Sequence, residues 1–173
     1  MPDISYGQFY MKENVEVTLV TSANSWSKIV GVTTTDGSIN SNFIASDNRL
    51  TYIAPTDKVF LSQAKVTFTQ GIPPQGPFFD YDVEVGIYDY DSISGIGTVL
   101  KSSLTKINDT TYGKFYTVYL SDIHTHSQND YVELYIRNIH TSILLADNTR
   151  IDVFSASCEE FKHRHTIDNT HGR

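Results

Sequence analysis

Hydrophobic and polar residues alternate with period two along most of this chain, and helical spacing is nearly absent. Val15 to Val20 puts Val15, Val17 and Leu19 on one face. Trp26 to Val32 is a second apolar stretch, ending at Gly31 and a Thr-rich turn with Asp36-Gly37. Phe43 to Ser46 runs into the tight turn Asp47-Asn48, and Arg49 to Ala54 stops at Pro55. Val59 to Gln70 is the clearest strand, with Ala64, Val66 and Phe68 facing inward. Gly71 to Pro77 cannot join a ladder and reads as a loop. In Asp82 to Tyr90, Val83, Val85 and Ile87 oppose Glu84, Gly86 and Tyr88. Ser92 to Gly97 reads as a loop, Thr98 to Ser102 and Lys114 to Leu120 as strands, and Asn108 to Gly113 as a polar turn between them. Tyr131 to Ile136 and Arg150 to Ser157 complete the set. These are about nine or ten strands, roughly 8–15 residues apart and without helices between them, which predicts an all-β antiparallel β-sandwich of jelly-roll type. Residues 1–157 form the single domain, with 1–13 as an N-terminal arm or edge strand. After Glu159 the alternation is lost, so 158–173 reads as a flexible or partner-bound tail.

Composition narrows the function classes. The 173 residues suit one domain, which at this size needs no covalent staples. Thirteen Lys and Arg against 20 Asp and Glu give a net charge of −7, which argues against nucleic-acid binding. One cysteine excludes a disulfide framework within the chain and a zinc site of several thiolates. No apolar run approaches the ~18 residues that span a bilayer, and Met1 to Tyr6 does not read as a secretory signal, so synthesis in a cytoplasm without membrane insertion is expected. Charged residues are only 19%, while Tyr alone numbers 11, so the strands offer hydroxyls and aromatic rings where an ordinary enzyme surface carries Lys and Glu.

Several constellations carry chemistry. His124 and His126 lie two apart, and on a strand they point the same way and are able to share a metal; the alternative is a polar connection. Cys158, His163 and His165 supply three zinc-type ligands but no fourth at the spacing of a structural site. Asp80-Tyr81-Asp82 and Asp89-Tyr90-Asp91 flank one strand, as carboxylates for Ca²⁺ or for glycoside hydrolysis, or simply as solvated turns. Phosphate-binding, hydrolase-elbow and zinc-protease motifs are absent, and no catalytic residue or cofactor is assigned. Phe79, Tyr81 and Tyr90 form a candidate ligand loop, where rings stack on sugars or on one another across strands. Large side chains on both faces of Phe115 to Leu120 suggest a central strand or one facing a partner. Phe115, Tyr116, Tyr119, Tyr131 and Tyr135 are therefore the interface candidates.

A resemblance joins these segments. Tyr6-Gly7-Gln8-Phe9-Tyr10-Met11, Ser25-Trp26-Ser27-Lys28-Ile29-Val30-Gly31, Asp47-Asn48-Arg49-Leu50-Thr51-Tyr52, Lys58-Val59-Phe60-Leu61 and Asn129-Asp130-Tyr131-Val132-Glu133-Leu134-Tyr135-Ile136-Arg137-Asn138 resemble the TNF/C1q-like jelly-roll domains of bacteriophage and other viral structural proteins. The resemblance spans residues 6–157 and implies a homotrimer packed around a threefold axis, in a fibre, spike or capsid decoration. The His-containing tail after Cys158 departs from it and reads as an arm docking on a neighbouring protein. The expectation is therefore a non-enzymatic virion structural protein, partnered by itself and by other capsid or tail proteins. The alternatives are a head module that binds a receptor or host surface glycan and, behind it, a polysaccharide-degrading enzyme.

Overall fold

A computed structural model of the chain describes residues 4–13, 20, 24–35, 42–70, 81–111, 113–139 and 149–162. Twelve strands lie among them: β1 (Tyr6–Glu13), β2 (Ser27–Lys28), β3 (Val32–Thr34), β4 (Phe43–Ser46), β5 (Arg49–Tyr52), β6 (Lys58–Gln70), β7 (Tyr81–Asp91), β8 (Ile96–Val99), β9 (Thr105–Thr110), β10 (Phe115–His126), β11 (Tyr131–Ile139) and β12 (Thr149–Glu160). They form two sheets. The first has the order β10-β6-β12-β1-β3. The second has the order β4-β5-β11-β7-β8, with β2 also on β11 and β9 also on β7. All pairings are antiparallel, so the predicted sandwich is the observed one.

The core follows the period-two phase. Phe60, Ala64, Val66 and Phe68 of β6 face Val83, Val85 and Ile87 of β7 and Val132, Leu134 and Ile136 of β11, all buried. At one end Phe43, Tyr52, Phe60 and His126 pack ring to ring with centroids 5.0–5.5 Å apart. Asp47 and Asn48 both adopt positive φ (51° and 58°), the conformation a two-residue primed turn demands, and they pin the β4–β5 register.

Several local expectations change. The Phe115 to Leu120 strand is not central: β10 is the edge of the first sheet and runs six residues further, to His126. Its large side chains are therefore divided between the core and an uncovered face. Asn108 to Gly113 is only partly a turn, because Thr105–Thr110 pairs with β7; Ile107 is its single large apolar residue, too little to show alternation. The Trp26 to Val32 stretch divides, β2 joining one sheet and β3 the other. A bulge between Ile151 and Val153 shifts the phase of β12, so Ile151 and Phe154 point inward while Val153 is exposed. This strand continues past Ser157 to Glu160, whose carboxylate receives Lys58 Nζ at 2.8 Å and the Ser5 N–H at 3.0 Å. At the other end β1 is interior to its sheet, between β12 and β3, rather than an arm or edge. The proposed Val15 to Val20 strand, the 71–77 loop and the tail from 163 lie outside the described residues, apart from the buried Val20.

Candidate functional site

Three features stand out on this frame. The first is the outer face of the first sheet. Odd-numbered residues of β10 point outward, leaving Phe115 71%, Tyr119 72% and Ile123 53% exposed. The register sets them beside Thr69, Lys65 and Leu61 of β6, and the Lys65 ammonium lies 5.7 Å from the Tyr119 ring. Val59 and Val153 add exposed apolar surface. Toward the middle the face becomes a shallow groove lined by Gln8, Gln63, Ser121, Ser155 and Ser157. Exposed apolar surface on a long edge strand is what soluble monomers ordinarily blunt. Tyr116, by contrast, points inward, stacked on Phe68 at 5.6 Å, and its hydroxyl oxygen accepts the Thr111 N–H at 2.6 Å.

The second feature is the outer face of the second sheet, where Tyr131 and Tyr135 sit; the five interface candidates therefore do not share one surface. Tyr131 stacks on Tyr90 (4.5 Å) and Tyr135 on Tyr88 (4.6 Å), across β7 and β11. Cross-strand aromatic pairing is thus the arrangement of Tyr90. Between these pairs Glu133 is buried, holding Lys28 at 2.6 Å and Arg49 at 2.8 Å, with Arg49 also over the Tyr131 ring. Farther along, Arg137 donates to Glu84 at 2.6 Å beneath Trp26. Tyr88 lies so close over Gly97 that a Cβ there would come 1.9 Å from its hydroxyl, which is why a glycine interrupts β8. Trp26, Tyr88, Lys101, Leu104, Tyr135 and Arg137 border a groove of about 560 Å³. Tyr81 opens β7, and Phe79 lies outside the described residues.

The third feature is inside. His124 and His126 lie on a strand, not in a connection, and point inward in phase with Val118 and Leu120. The same phase continues along β7 from Val83, Val85 and Ile87 to Asp89. The Nε2 atoms of the two histidines are 2.8 Å apart, and His124 Nδ1 is 3.3 Å from Asp122 Oδ2. Ser62 Oγ sits 3.3 Å from His124 Nε2 and 3.1 Å from the Cys158 thiol. Burial lowers both imidazoles, His126 to about 3, so both are neutral at pH 7. The Asp122 carboxylate can only accept, so His124 carries its proton on Nδ1 and offers Nε2 as an acceptor. His126 then donates from Nε2, and its Nδ1 is a bare lone pair. That atom is buried without a hydrogen-bond partner, and so is Asp89 Oδ1, 3.6 Å away. Burial and then the nearby Asp130 raise Asp89 to about 6. Asp130 itself is satisfied, by the N–H groups of Ser92 (2.8 Å) and Ser127 (2.7 Å) and by the Ser92 hydroxyl.

The same period-two pattern that pairs the histidines also sets Asp122 in their phase, while Asp89 and Ser62 reach them from other strands. Their signal was available, since each is a polar residue in the inward phase of an otherwise apolar strand. The remaining aspartates do not converge. Asp82 pairs with Lys106 at 2.7 Å, Asp91 caps its own turn through the N–H groups of Ile93 and Ser94, and Asp80 lies outside the described residues. Cys158 is fully buried and is not described together with His163 or His165, which also lie outside.

No protein-family model matches the chain, and no curated protein matches it. Solved structures do. A structure of murine APRIL at pH 5.0 superposes with a TM-score of 0.58 at 10% identity, covering 91% of this chain and 99% of that one. Murine APRIL at pH 8.5 gives 0.56 at 9%, and at pH 8.0 gives 0.55 at 8%, each covering 89% of this chain and 98% of the other. The likeness is one of fold, a TNF-like jelly-roll sandwich.

Proposed function

We propose that this chain is a non-catalytic assembly protein that acts as a homotrimer, joined through the outer face of the β10-β6-β12-β1-β3 sheet. The observation that carries the reading is the edge strand β10, with Phe115 and Tyr119 more than two-thirds exposed and Ile123 about half exposed along one outer face. An apolar strip of this kind at a sheet edge is stable in water when a second copy covers it. The TNF-like fold supports the same arrangement. Its setting, in this proposal, is the surface of a virion, alongside other capsid or tail proteins, as the resemblance of its sequence segments to viral jelly rolls suggests. Light scattering of the purified chain tests the assembly: the expected mass is three times the 19.5 kDa of one chain. Phe115→Asp with Tyr119→Asp is expected to yield folded monomers. A monomeric wild-type chain at micromolar concentration would refute the trimer.

A second reading, recognition of a host surface glycan, is favoured by the groove between Trp26, Tyr88 and Tyr135, whose aromatic walls and flanking Lys101 suit a sugar ring. Selective binding on a glycan array that is lost in Trp26→Ala would support it, and an array without hits would count against it.

A further inference from the structure

We propose that Asp89, His124 and His126 bind one divalent transition-metal cation of the zinc type, inside the sandwich at the end where β10 crosses β7. The three side chains offer one ligand atom each, all within 4.8 Å of one another. Ligands around a four-coordinate zinc, with bonds of ~2.0–2.1 Å, stand roughly 3.3 Å apart, so the set closes around an ion by side-chain rotations that exchange the His124–His126 hydrogen bond for metal bonds. Two imidazoles and one carboxylate are a recurrent ligand set for such metals, whereas Ca²⁺ and Mg²⁺ prefer oxygen alone.

Two independent observations point to a cation rather than to a structural polar cluster. His126, with its side chain 1% accessible, aims Nδ1 at Asp89 Oδ1 across 3.6 Å, and neither atom has a hydrogen-bond partner. A lone pair facing a carboxylate lone pair in the interior is costly unless something positive lies between them. The second is charge. Asp89, Asp122 and Asp130 all border the cluster, and among the described residues none is paired with a Lys or Arg. Asp122 on His124 Nδ1 supplies the outer support that metal-binding histidines usually have, and it keeps the lone pair on Nε2, where an ion would replace the 2.8 Å contact with His126. The Asp89 side chain is 21% accessible, so the ion has a way in from solvent. Cys158 is excluded from the ligand set, since its thiol is engaged with Ser62 and burial holds it far from ionisation.

The test uses the full chain, stripped with a chelator and titrated with Co²⁺. One equivalent per chain is expected to produce a visible ligand-field band without a thiolate charge-transfer band, displaced by Zn²⁺, and Zn²⁺ is expected to raise the melting temperature. Asp89→Asn, nearly isosteric, is expected to weaken binding at least 100-fold, and Asp122→Asn, which only orients His124, by about 10–100-fold. His163→Ala/His165→Ala/His171→Ala should bind as wild type, which separates this site from tail histidines. Absence of Co²⁺ binding at tenfold excess, binding unchanged in Asp89→Asn, or binding abolished by the tail substitutions would each overturn the proposal. His126→Gln is expected to abolish binding; should that variant fail to fold, Asp89→Asn decides alone.

Discussion

Glu133 allows a sharp test of what holds the outer face of the second sheet together. It projects from that face yet is 2% exposed, covered by Lys28 and Arg49 and by the rings of β7 and β11. The burial is unequal: the carboxylate side chain is 3% accessible, but Lys28 is 23% and Arg49 33% accessible. Removing the anion and removing the cations should therefore differ. Lys28→Met with Arg49→Met leaves a buried carboxylate whose remaining partner is the Tyr135 hydroxyl at 3.2 Å. An uncompensated buried charge costs about 3–5 kcal/mol. Glu133→Gln instead leaves two cations that already reach water. It forfeits charge-assisted hydrogen bonds but relieves the carboxylate's desolvation, for a net loss of about 1–2 kcal/mol. The informative chain carries all three substitutions, because Glu133→Gln should recover roughly half or more of what the double cation variant loses. The assay is urea unfolding at pH 7 and one fixed protomer concentration, since assembly shifts apparent stability. In thermal melts each kcal/mol corresponds to about 2–4 °C for a chain of this size. A triple variant no more stable than the double would show that the cations do not act by compensating a buried carboxylate.

The remaining predictions concern the interior. Cys158, fully buried and pushed up to about 12 chiefly by burial, should resist thiol reagents in the native chain and react at once in urea; rapid native labelling would contradict its placement. In chelator-treated protein two titrations oppose each other. His126 is lowered to about 3, so its contribution is present above the unfolded value of ~6.5 and is lost as pH falls. Asp89 is raised to about 6, so its contribution is present at low pH and is lost as pH rises through 6. Between about pH 4 and 6 these two cancel, and the fall in wild-type stability with acid is left to His124, which burial also lowers, and to the other carboxylates. Asp89→Asn should steepen that fall by up to ~1.4 kcal/mol for each pH unit between about 4 and 6, and equal slopes in the two chains would refute the assignment.

Most of the architecture was legible because period-two burial is a local signal. Val59 to Gln70, Asp82 to Tyr90 and Tyr131 to Ile136 each carry an apolar face, and each is a strand within a few residues of its expected bounds. What escaped was non-local. β9 has a single large apolar residue and exists because β7 offers it a partner; the phase of β12 turns on a bulge that leaves no residue-type signature. The edge position of β10 is a matter of topology, and alternation cannot say whether a strand with two large faces has a neighbour on both sides. The same limit applied to the sites. His124 and His126 were visible as a pair because their spacing is local, but Asp89 reaches them from a strand in the other sheet. Tyr131 and Phe115 look alike in sequence and lie on opposite outer faces.

The net charge of −7 also takes on a location. On the outer face of the second sheet the acidic groups are matched, Glu133 by Lys28 and Arg49, and Glu84 by Arg137. The outer face of the first sheet carries charges of both signs, Lys12, Lys65, Arg150, Asp152 and Glu159, among Thr, Ser, Gln, Tyr and Phe. Asp89, Asp122 and Asp130, by contrast, converge at one end of the sandwich, where the ion-pairing distances among the described residues lead to histidines held neutral by burial. Acidic side chains spread over a surface would merely keep the chain soluble. At this strand-capped end Asp89 is the carboxylate that burial penalises, and in the proposed site a cation would compensate it. Metal binding and folding would then be linked, with the ion contributing stability in proportion to its affinity. That linkage would separate the two proposals physically: the face bearing Phe115 and Tyr119 would govern how copies meet, and the ion site how firmly each copy holds its own end closed.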